Sequence, residues 1–505
     1  MILPDLLARR AALTPDAVAF RDPPREEGLT YGAFDRRVGQ AARVLCDLGL
    51  TPGERLALLC RNRVEFFELL FACARAGVVM VPLNWRMPAA ELAHLLADAT
   101  PSALAFGRED ATTATALSGT VSTLIALDPP IGESPTAVPY VGARVAASPL
   151  EVHRPWQEDA CWYLIYTSGT TGRPKGVIYT FGMALANYVN IRQGMQISAD
   201  DVTLNFLPLF HTAGINLVTL PTLFEGGSVV LMPGFDVDRV VALIEAGSLD
   251  TVFGVPAVFS QLSQHPRFDD LDLTRVRAWG CGGAPLPTSL LERYLARGAK
   301  VCNGMGMTET GPTAFLMDPD HVHEKIGAVG KPQLLVQARI MDAQGMTCED
   351  GAHGEICFAG PGVTPGYWRQ PDATAAAFTN DGWLRSGDVG YRDGDGYYYV
   401  VGRRKEMFIS GGENVYPVEI ENVLVGHPAV LDAAVIGVED DTWGEVGVAF
   451  LCAVHGRELP DDHQLRDYCR EHLAAYKVPK RFIHVTEFPR TAAGKIRKHL
   501  LSVSD

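Results

Sequence analysis

Short apolar runs alternate with helical patterns along most of the chain. The runs LALLC, GVVMVPL, VTLNFLPL, GSVVLMPG and TVFGVP, between residues 56 and 256, predict buried strands. The stretches Glu65 to Gly77 and Asp238 to Gly247 carry apolar residues at helical spacing and predict amphipathic helices between them. Strands alternating with helices favour an α/β fold with layered, largely parallel sheets. From about Gly327 the pattern changes. LLVQARIMDAQG, HGEICFAG and WLRSGDVGYRDGDGYYYVVGR are strand-like runs broken by Gly-Asp turns, which predicts a β-rich subdomain.

A second change falls at GRRKEMFISGGENVYP. After it come a helix (PVEIENVLVGH), two strands (VLDAAVIGVED and VGVAFLCAVHG), a helix (DHQLRDYCREHLAAY) and a last strand (RFIHVTEFP). That succession is a small α+β unit of about 100 residues, a usual domain size. The expected organisation is an N-terminal domain over 1–402, with its β-rich part at about 327–402, a hinge at 403–405 and a C-terminal lid domain over 406–505. The first residues, MILPDLLARRAALTPDAVAF, place Asp5 where a signal peptide needs its apolar run, so they predict an amphipathic helix.

Composition narrows the classes. The 505 residues are 47% hydrophobic and 20% charged, as in an ordinary globular protein. A formal net charge of −15 argues against a nucleic-acid binder. Ten cysteines are scattered with no C-x-x-C pair, which suggests reduced thiols and a cytoplasmic protein rather than zinc or redox chemistry. No apolar run approaches the roughly 18 residues of a membrane span.

The chemistry centres on YTSGTTGRPKG, Tyr166 to Gly176, directly after the apolar run CWYLIYT. Glycines let backbone N–H groups converge on an anion. The hydroxyls of Thr167, Ser168, Thr170 and Thr171 add donors, and Lys175 adds a charge. A Walker A loop would need Lys then Ser or Thr six residues after its first Gly. Counting from Gly169, the sixth position is Pro174, and Lys175 precedes Gly176, which argues against a P-loop NTPase or kinase.

The stretch resembles the phosphate-loop signature of the adenylate-forming superfamily of acyl-CoA synthetases, aryl-CoA ligases, peptide-synthetase adenylation domains and luciferases. Seven further motifs of that family follow in order: LPLFHTAG, GGAPL, GMGMTET, LRSGD, GRRKEMFISGGENVYPVEIE, YKVP and TAAGKIRK. The resemblance implies ATP, Mg²⁺ and CoA as reaction partners, together with a small carboxylic acid. It implies no nucleic-acid partner and leaves a homodimer open. By the same resemblance Thr167, Ser168, Gly169, Thr170, Thr171, Gly172 and Lys175 would hold the β- and γ-phosphates. Glu309 would be the Mg²⁺ ligand, Thr308 would face the α-phosphate, and Lys495 would bridge the carboxylate and the α-phosphate. Gly283, Ala284, Pro285, Met305 and Gly306 would border the adenine. Met305 stands where many members carry a stacking aromatic, and its thioether can cover a ring face. Asp388, helped by Arg403, would bind the ribose.

Lys405 takes the hinge position. Gly411 and Gly412 resemble the glycines beside the pantetheine arm of CoA, with Lys477, Arg404 and Lys480 as candidates for its phosphates. His211 takes a gate position between the acyl pocket and the thiol route, grouped with the catalytic residues but not as a base. The pocket would be built from His211, Thr212, Ala213, Gly214, Leu217, Gly282, Gly304 and Gly311. No Arg or Lys lies in 206–222, which disfavours dicarboxylic acids, and no acidic residue there suits an amino acid. The expected activity is AMP-forming acyl-CoA ligation of an apolar monocarboxylic acid, with aryl acids favoured. Fatty acids of short or medium chain, transfer to a carrier-protein thiol, and a silent nucleotide-binding protein are the alternatives.

Overall fold

A computed structural model describes residues 1–21, 28–129, 137–150, 155–167, 174–490 and 496–502. The apolar runs form the strands of two large sheets. In the first, seven strands lie in the order Lys175–Thr180, Cys161–Thr167, Val79–Pro82, Arg55–Leu59, Ala103–Phe106, Thr123–Ala126 and Val138–Pro139. Only the first pair is antiparallel; the rest pair parallel. The second sheet has nine strands. Val301–Met307, Ala278–Gly282, Thr251–Gly254, Val202–Asn205 and Ser228–Leu231 form its parallel centre, with Gly311–Leu316 added antiparallel beside Val301–Met307. Strands buried on both faces read as continuous apolar runs, which explains why the pattern exposed them.

The helix Val64–Ala76 departs from its amphipathic reading. Every residue from Phe66 to Ala76 is buried, including Glu68 and Arg75. Its polar positions face internal partners instead of water. Arg75 Nε donates to Asp5 Oδ2 at 2.7 Å and the same guanidinium pairs with Asp35. Glu68 accepts from Tyr140 Oη at 2.8 Å and pairs with Arg37 and Arg144. Buried charges need such partners. Asp5 also accepts from Ala8 N to cap the first helix, Leu6–Leu13.

A third, antiparallel sheet runs Gln337–Met341, Gly354–Ala359, Leu384–Arg392 and Tyr398–Arg403. It is the β-rich region the Gly-Asp turns announced. A turn follows at once: Glu406 N and Met407 N both donate to Arg403 O, at 3.0 and 3.2 Å. Beyond it begins the last sheet, with Glu413–Val415, Phe408–Ser410, Gly444–Ala453, Val430–Asp440 and Arg481–His484. The helices Pro417–Val425 and Asp462–His472 belong to this unit, which has its own apolar core around Phe408, Ile420, Val435, Leu451 and Leu465. Among the described residues no helix is long and apolar enough to cross a membrane.

Candidate active site

In parallel α/β sheets, ligand-binding residues gather at the carboxyl ends of the strands. Here two such edges face each other. The first sheet presents Arg61 after Arg55–Leu59, Trp85 and Arg86 after Val79–Pro82, and Thr167 at the end of Cys161–Thr167. The second presents Phe210 and His211 after Val202–Asn205, Gly283 after Ala278–Gly282, and Thr308 and Glu309 after Val301–Met307. Phe210 joins them, with its ring edge-on to Trp85 at 6.3 Å and 5.3 Å from the His211 ring.

Glu309 is 8% exposed, in the short turn Thr308–Thr310. Tyr367 Oη donates to its Oε1 at 2.9 Å, and Thr364 N donates to its carbonyl at 2.8 Å. The segment carrying both partners is strapped along the strand Lys175–Thr180: Trp368 N donates to Gly176 O at 2.7 Å and Ile178 N to Gly366 O at 3.1 Å. That strap sets the Tyr367 ring between Glu309 and Lys175, whose Nζ lies 4.7 Å from the ring centre. Burial and the Glu309 charge push the Tyr367 phenol well above its ordinary range, so it remains a donor. Tyr367 was not a sequence-level candidate, and 58 residues of separation from Glu309 leave no local signal.

Thr308 is buried beside Glu309. Ser168, Gly169, Thr170, Thr171 and Gly172 lie outside the described residues, as does Lys495. Thr167 and Lys175, which flank the phosphate loop, are half-buried register partners. Gly283, Ala284 and Pro285 are exposed on the site's rim. Met305 is half-buried and packs against the cluster of Phe315, Ile356, Phe358 and Tyr398; Gly306 follows it in the same strand.

Asp388 and Arg403 sit opposite each other in the third sheet. Arg403 Nε donates to Asp388 Oδ1 at 2.6 Å; Asp388 is buried while Arg403 is exposed. Next to them Glu355 accepts from Gly387 N at 3.2 Å and pairs with Arg385 at 2.9 Å. The pair therefore stands at the root of the turn holding Lys405, which is exposed.

His211 is half-buried, and Thr212, Gly214 and Leu217 are buried, with Ala213 between them. Gly282 and Gly214 owe their identity to neighbouring backbone. A Cβ on Gly282 would lie 2.7 Å from Gly304 O, and one on Gly214 would collide with Pro208 O. A Cβ on Gly304 would sit 3.2 Å from both Phe315 O and Leu316, whereas Gly311 has room for one and is restrained by its φ of 86°.

In the last unit, Gly411 and Gly412 both take positive φ, 61° and 87°. Lys477 Nζ is bound to Glu419 at 2.6 Å. Trp443, 47% exposed, lies against Gly411, and Lys480 Nζ is 5.5 Å from its ring centre. Lys498 Nζ pairs with both Glu406 and Glu421 at 2.7 Å.

A further cluster went unread in the sequence. Arg61 lies over the Trp85 ring at 3.3 Å and Arg86 over the same ring at 4.6 Å. Asp110, 5% exposed, is nearby, and its Oδ2 has no hydrogen-bond partner among the described residues. Burial pushes its carboxyl up to about 6, against the pull of the Arg61 charge. A carboxyl raised on folding is protonated in both states below about pH 4. Between about pH 4 and 6 the unfolded chain loses its proton first, so stability falls as pH rises. Asp110→Asn should remove that fall. Urea unfolding is expected to show the variant gaining on the order of 1 kcal/mol over wild type from pH 4 to 7, after allowance for solvent screening. A constant difference across that range would contradict it.

Comparison with known proteins places this geometry. Residues 7–368 match the AMP-binding enzyme family and residues 419–495 its C-terminal domain. The chain is 42% identical over 490 residues to a feruloyl-CoA synthase of Amycolatopsis sp, covering 97% of this chain and 96% of that one. It is 38% identical over 510 residues to the indoleacetate–CoA ligase of Aromatoleum aromaticum, covering 99% and 97%. Among solved structures, o-succinylbenzoate CoA synthetase from Bacillus subtilis, in complex with its acyl-adenylate intermediate, superposes with a TM-score of 0.89 at 32% identity, covering 100% and 99%. The chain belongs to the AMP-binding enzyme family, the adenylate-forming acid–thiol ligases that its ordered motifs resemble.

Proposed function

We propose that this enzyme activates an aromatic monocarboxylic acid with ATP and transfers the acyl group to free CoA. One observation carries the reading: the gate segment, which Thr212 joins to Tyr179 on the strand Lys175–Thr180, is aromatic at Phe210 and His211 and uncharged from Thr212 to Leu217. The similarity to a feruloyl-CoA synthase and an indoleacetate–CoA ligase supports an aryl acid over a fatty acid.

In the first half-reaction a carboxylate oxygen bonds to the α-phosphorus of ATP and pyrophosphate leaves. Lys175 and the loop 167–172 are assigned to the leaving phosphates, and Lys495 to offsetting the charge of the two reacting anions. Glu309 is suited to Mg²⁺: a single buried carboxylate whose Oε1 is steadied by Tyr367 matches an ion held mostly by phosphate oxygens and water. When bound, that ion neutralises phosphate charge. No group of three or more His, Cys, Asp or Glu able to cage a metal occurs among the described residues. Asp388, aligned by Arg403, receives the ribose hydroxyls, and Gly283 to Pro285 and Met305 to Gly306 border the base.

In the second half-reaction the CoA thiol sulfur bonds to the acyl carbon and AMP leaves. The turn at 403–407, with Lys405 at its tip, is short enough to act as the hinge for lid rotation. Gly411, Gly412 and the exposed Trp443 form one wall for CoA; Arg86, exposed over Trp85, supplies positive charge near the gate. Lys477 is engaged by Glu419 and Arg404 by Glu355, which favours Lys480 for the CoA phosphates. All ten cysteines are free, in keeping with a reducing cytoplasm.

A panel of carboxylic acids read by pyrophosphate release tests the proposal. Hydroxycinnamates, benzoates and arylacetates are expected to exceed C4 to C12 fatty acids by at least about tenfold in kcat/KM, the scale of a well-fitted apolar pocket. CoA should then yield AMP and thioester. Preference for fatty acids, or adenylation without transfer to CoA, would overturn the substrate or the acceptor.

A further inference from the structure

The strands Cys161–Thr167 and Lys175–Thr180 form the hairpin that carries the phosphate loop. Tyr163 and Tyr179 are cross-strand partners in it. Both are fully buried, and their rings stack at 4.8 Å with only 12° between planes. Volume alone would be filled as well by two phenylalanines. Their hydroxyls have a different destination, the segment directly after the gate.

Tyr163 Oη donates to Asn216 Oδ1 at 2.7 Å, and Asn216 Nδ2 donates to Thr212 Oγ1 at 3.0 Å. Tyr179 Oη lies 2.9 Å from the same Thr212 Oγ1. Asn187 Nδ2 donates to Asn216 O, and Asn205 Nδ2 to Gly214 O at 2.8 Å. Thr212 adjoins His211, and Ala213–Leu217 is wound as a π-helix, a rare form found mostly as single turns and frequent at functional sites. Tyr179 Oη is also 3.6 Å from the place a Gly311 Cβ would take, so it lies beside the segment following Glu309. Burial, opposed by the Thr212 bond, raises its phenol well above the ordinary range and keeps it neutral. The Tyr179 hydroxyl thus ties the phosphate hairpin to the gate and lies beside the strand after Glu309.

We infer that Tyr179 and Thr212 are a positioning pair that holds the His211 gate in register with the phosphate hairpin, so that the acid and the nucleotide are presented to each other correctly. Neither residue touches reacting atoms in this role. The inference rests on the acid-activating reading above. Breaking a buried hydrogen bond on one side leaves the other partner unsatisfied, and in a linked network the loss spreads along it.

The test uses the full chain, with Tyr179→Phe, Thr212→Val, the double variant and Thr212→Ser. Tyr179→Phe is expected to raise the KM for the acid about fivefold to tenfold while the KM for ATP stays within about twofold, the scale of one lost buried hydrogen bond. Thr212→Val should do the same, and the double variant should be no worse than the worse single one, because the two groups form one contact. Thr212→Ser keeps the hydroxyl and should lie at least about threefold closer to wild type than Thr212→Val. Parallel loss of both KM values in step with a lowered Tm, multiplicative effects in the double variant, or equal loss in Thr212→Ser and Thr212→Val would each overturn the pair. If Tyr179→Phe fails to fold, the comparison of the two Thr212 variants decides alone. A wild type that releases pyrophosphate with no acid would overturn the functional reading and the pair with it; an active wild type with proportional losses overturns the pair only.

Discussion

Glu309→Gln is expected to cut acid-dependent pyrophosphate release by about a hundred- to a thousand-fold, with little change in Tm. The substitution keeps size and can still accept from Tyr367 Oη, now at 2.9 Å from Oε1, so the corner should stay folded. What disappears is the negative charge that Tyr367 binds on one side while Lys175 lies over its ring. Losing one preorganised electrostatic contact of this kind costs about a hundred- to a thousand-fold in rate. Two features sharpen the expectation. The KM for ATP should rise with Mg²⁺ limiting and recover partly when Mg²⁺ is raised, since a weakened ligand is compensated by mass action. Tyr367→Phe should show a milder version, about tenfold, because it removes only the hydrogen bond that orients the carboxylate. Pyrophosphate release titrated against Mg²⁺ reads both. Unchanged rate and Mg²⁺ dependence in Glu309→Gln would show that Glu309 is structural.

The fold was legible where one physical signal dominated. Parallel strands covered on both faces leave uninterrupted apolar runs, and the Gly-Asp turns between antiparallel strands mark the third sheet. The helix Val64–Ala76 was misjudged in one respect because Glu68 and Arg75 look like a solvent face. Their partners, Asp5, Asp35, Arg37, Tyr140 and Arg144, are distant in sequence and make burial tolerable. The candidate site divides in the same way. Motif order singles out Glu309, Asp388 and His211, since each sits in a short local signature. Tyr367, Tyr179, Trp85 and Lys498 carry no such signature, and only the packing of separate segments shows what they touch. Gly282 and Gly214 teach a related lesson. As letters they suggest room for a substrate, whereas backbone contact with Gly304 and Pro208 already demands them.

Lys495→Ala is expected to lower pyrophosphate release by about a hundred- to a thousand-fold while thioester formation from supplied acyl-adenylate stays within about threefold of wild type. The asymmetry follows from charge. Adenylation drives a carboxylate against a triphosphate, and a cation between them offsets repulsion that grows as the atoms approach. Thiol attack on the mixed anhydride involves no such pair of anions at the acyl carbon, so the same cation has little to stabilise there. On the proposed reading the two half-reactions therefore use different lid placements, with Lys405 as the pivot. Lys498→Met supplies the contrast. Lys498 bridges Glu406, next to the hinge, and Glu421, which is largely buried and already raised by that burial. Removing the bridge leaves those carboxylates facing each other and should weaken the lid unit by about 3 kcal/mol, the usual cost of breaking a largely buried pair. Both half-reactions should then fall together, tracking the folded fraction of that unit in urea. If Lys495→Ala also depressed both equally, with the lid still folded, the two-placement account of the reaction would fail, because a residue confined to one placement cannot burden a step performed in the other.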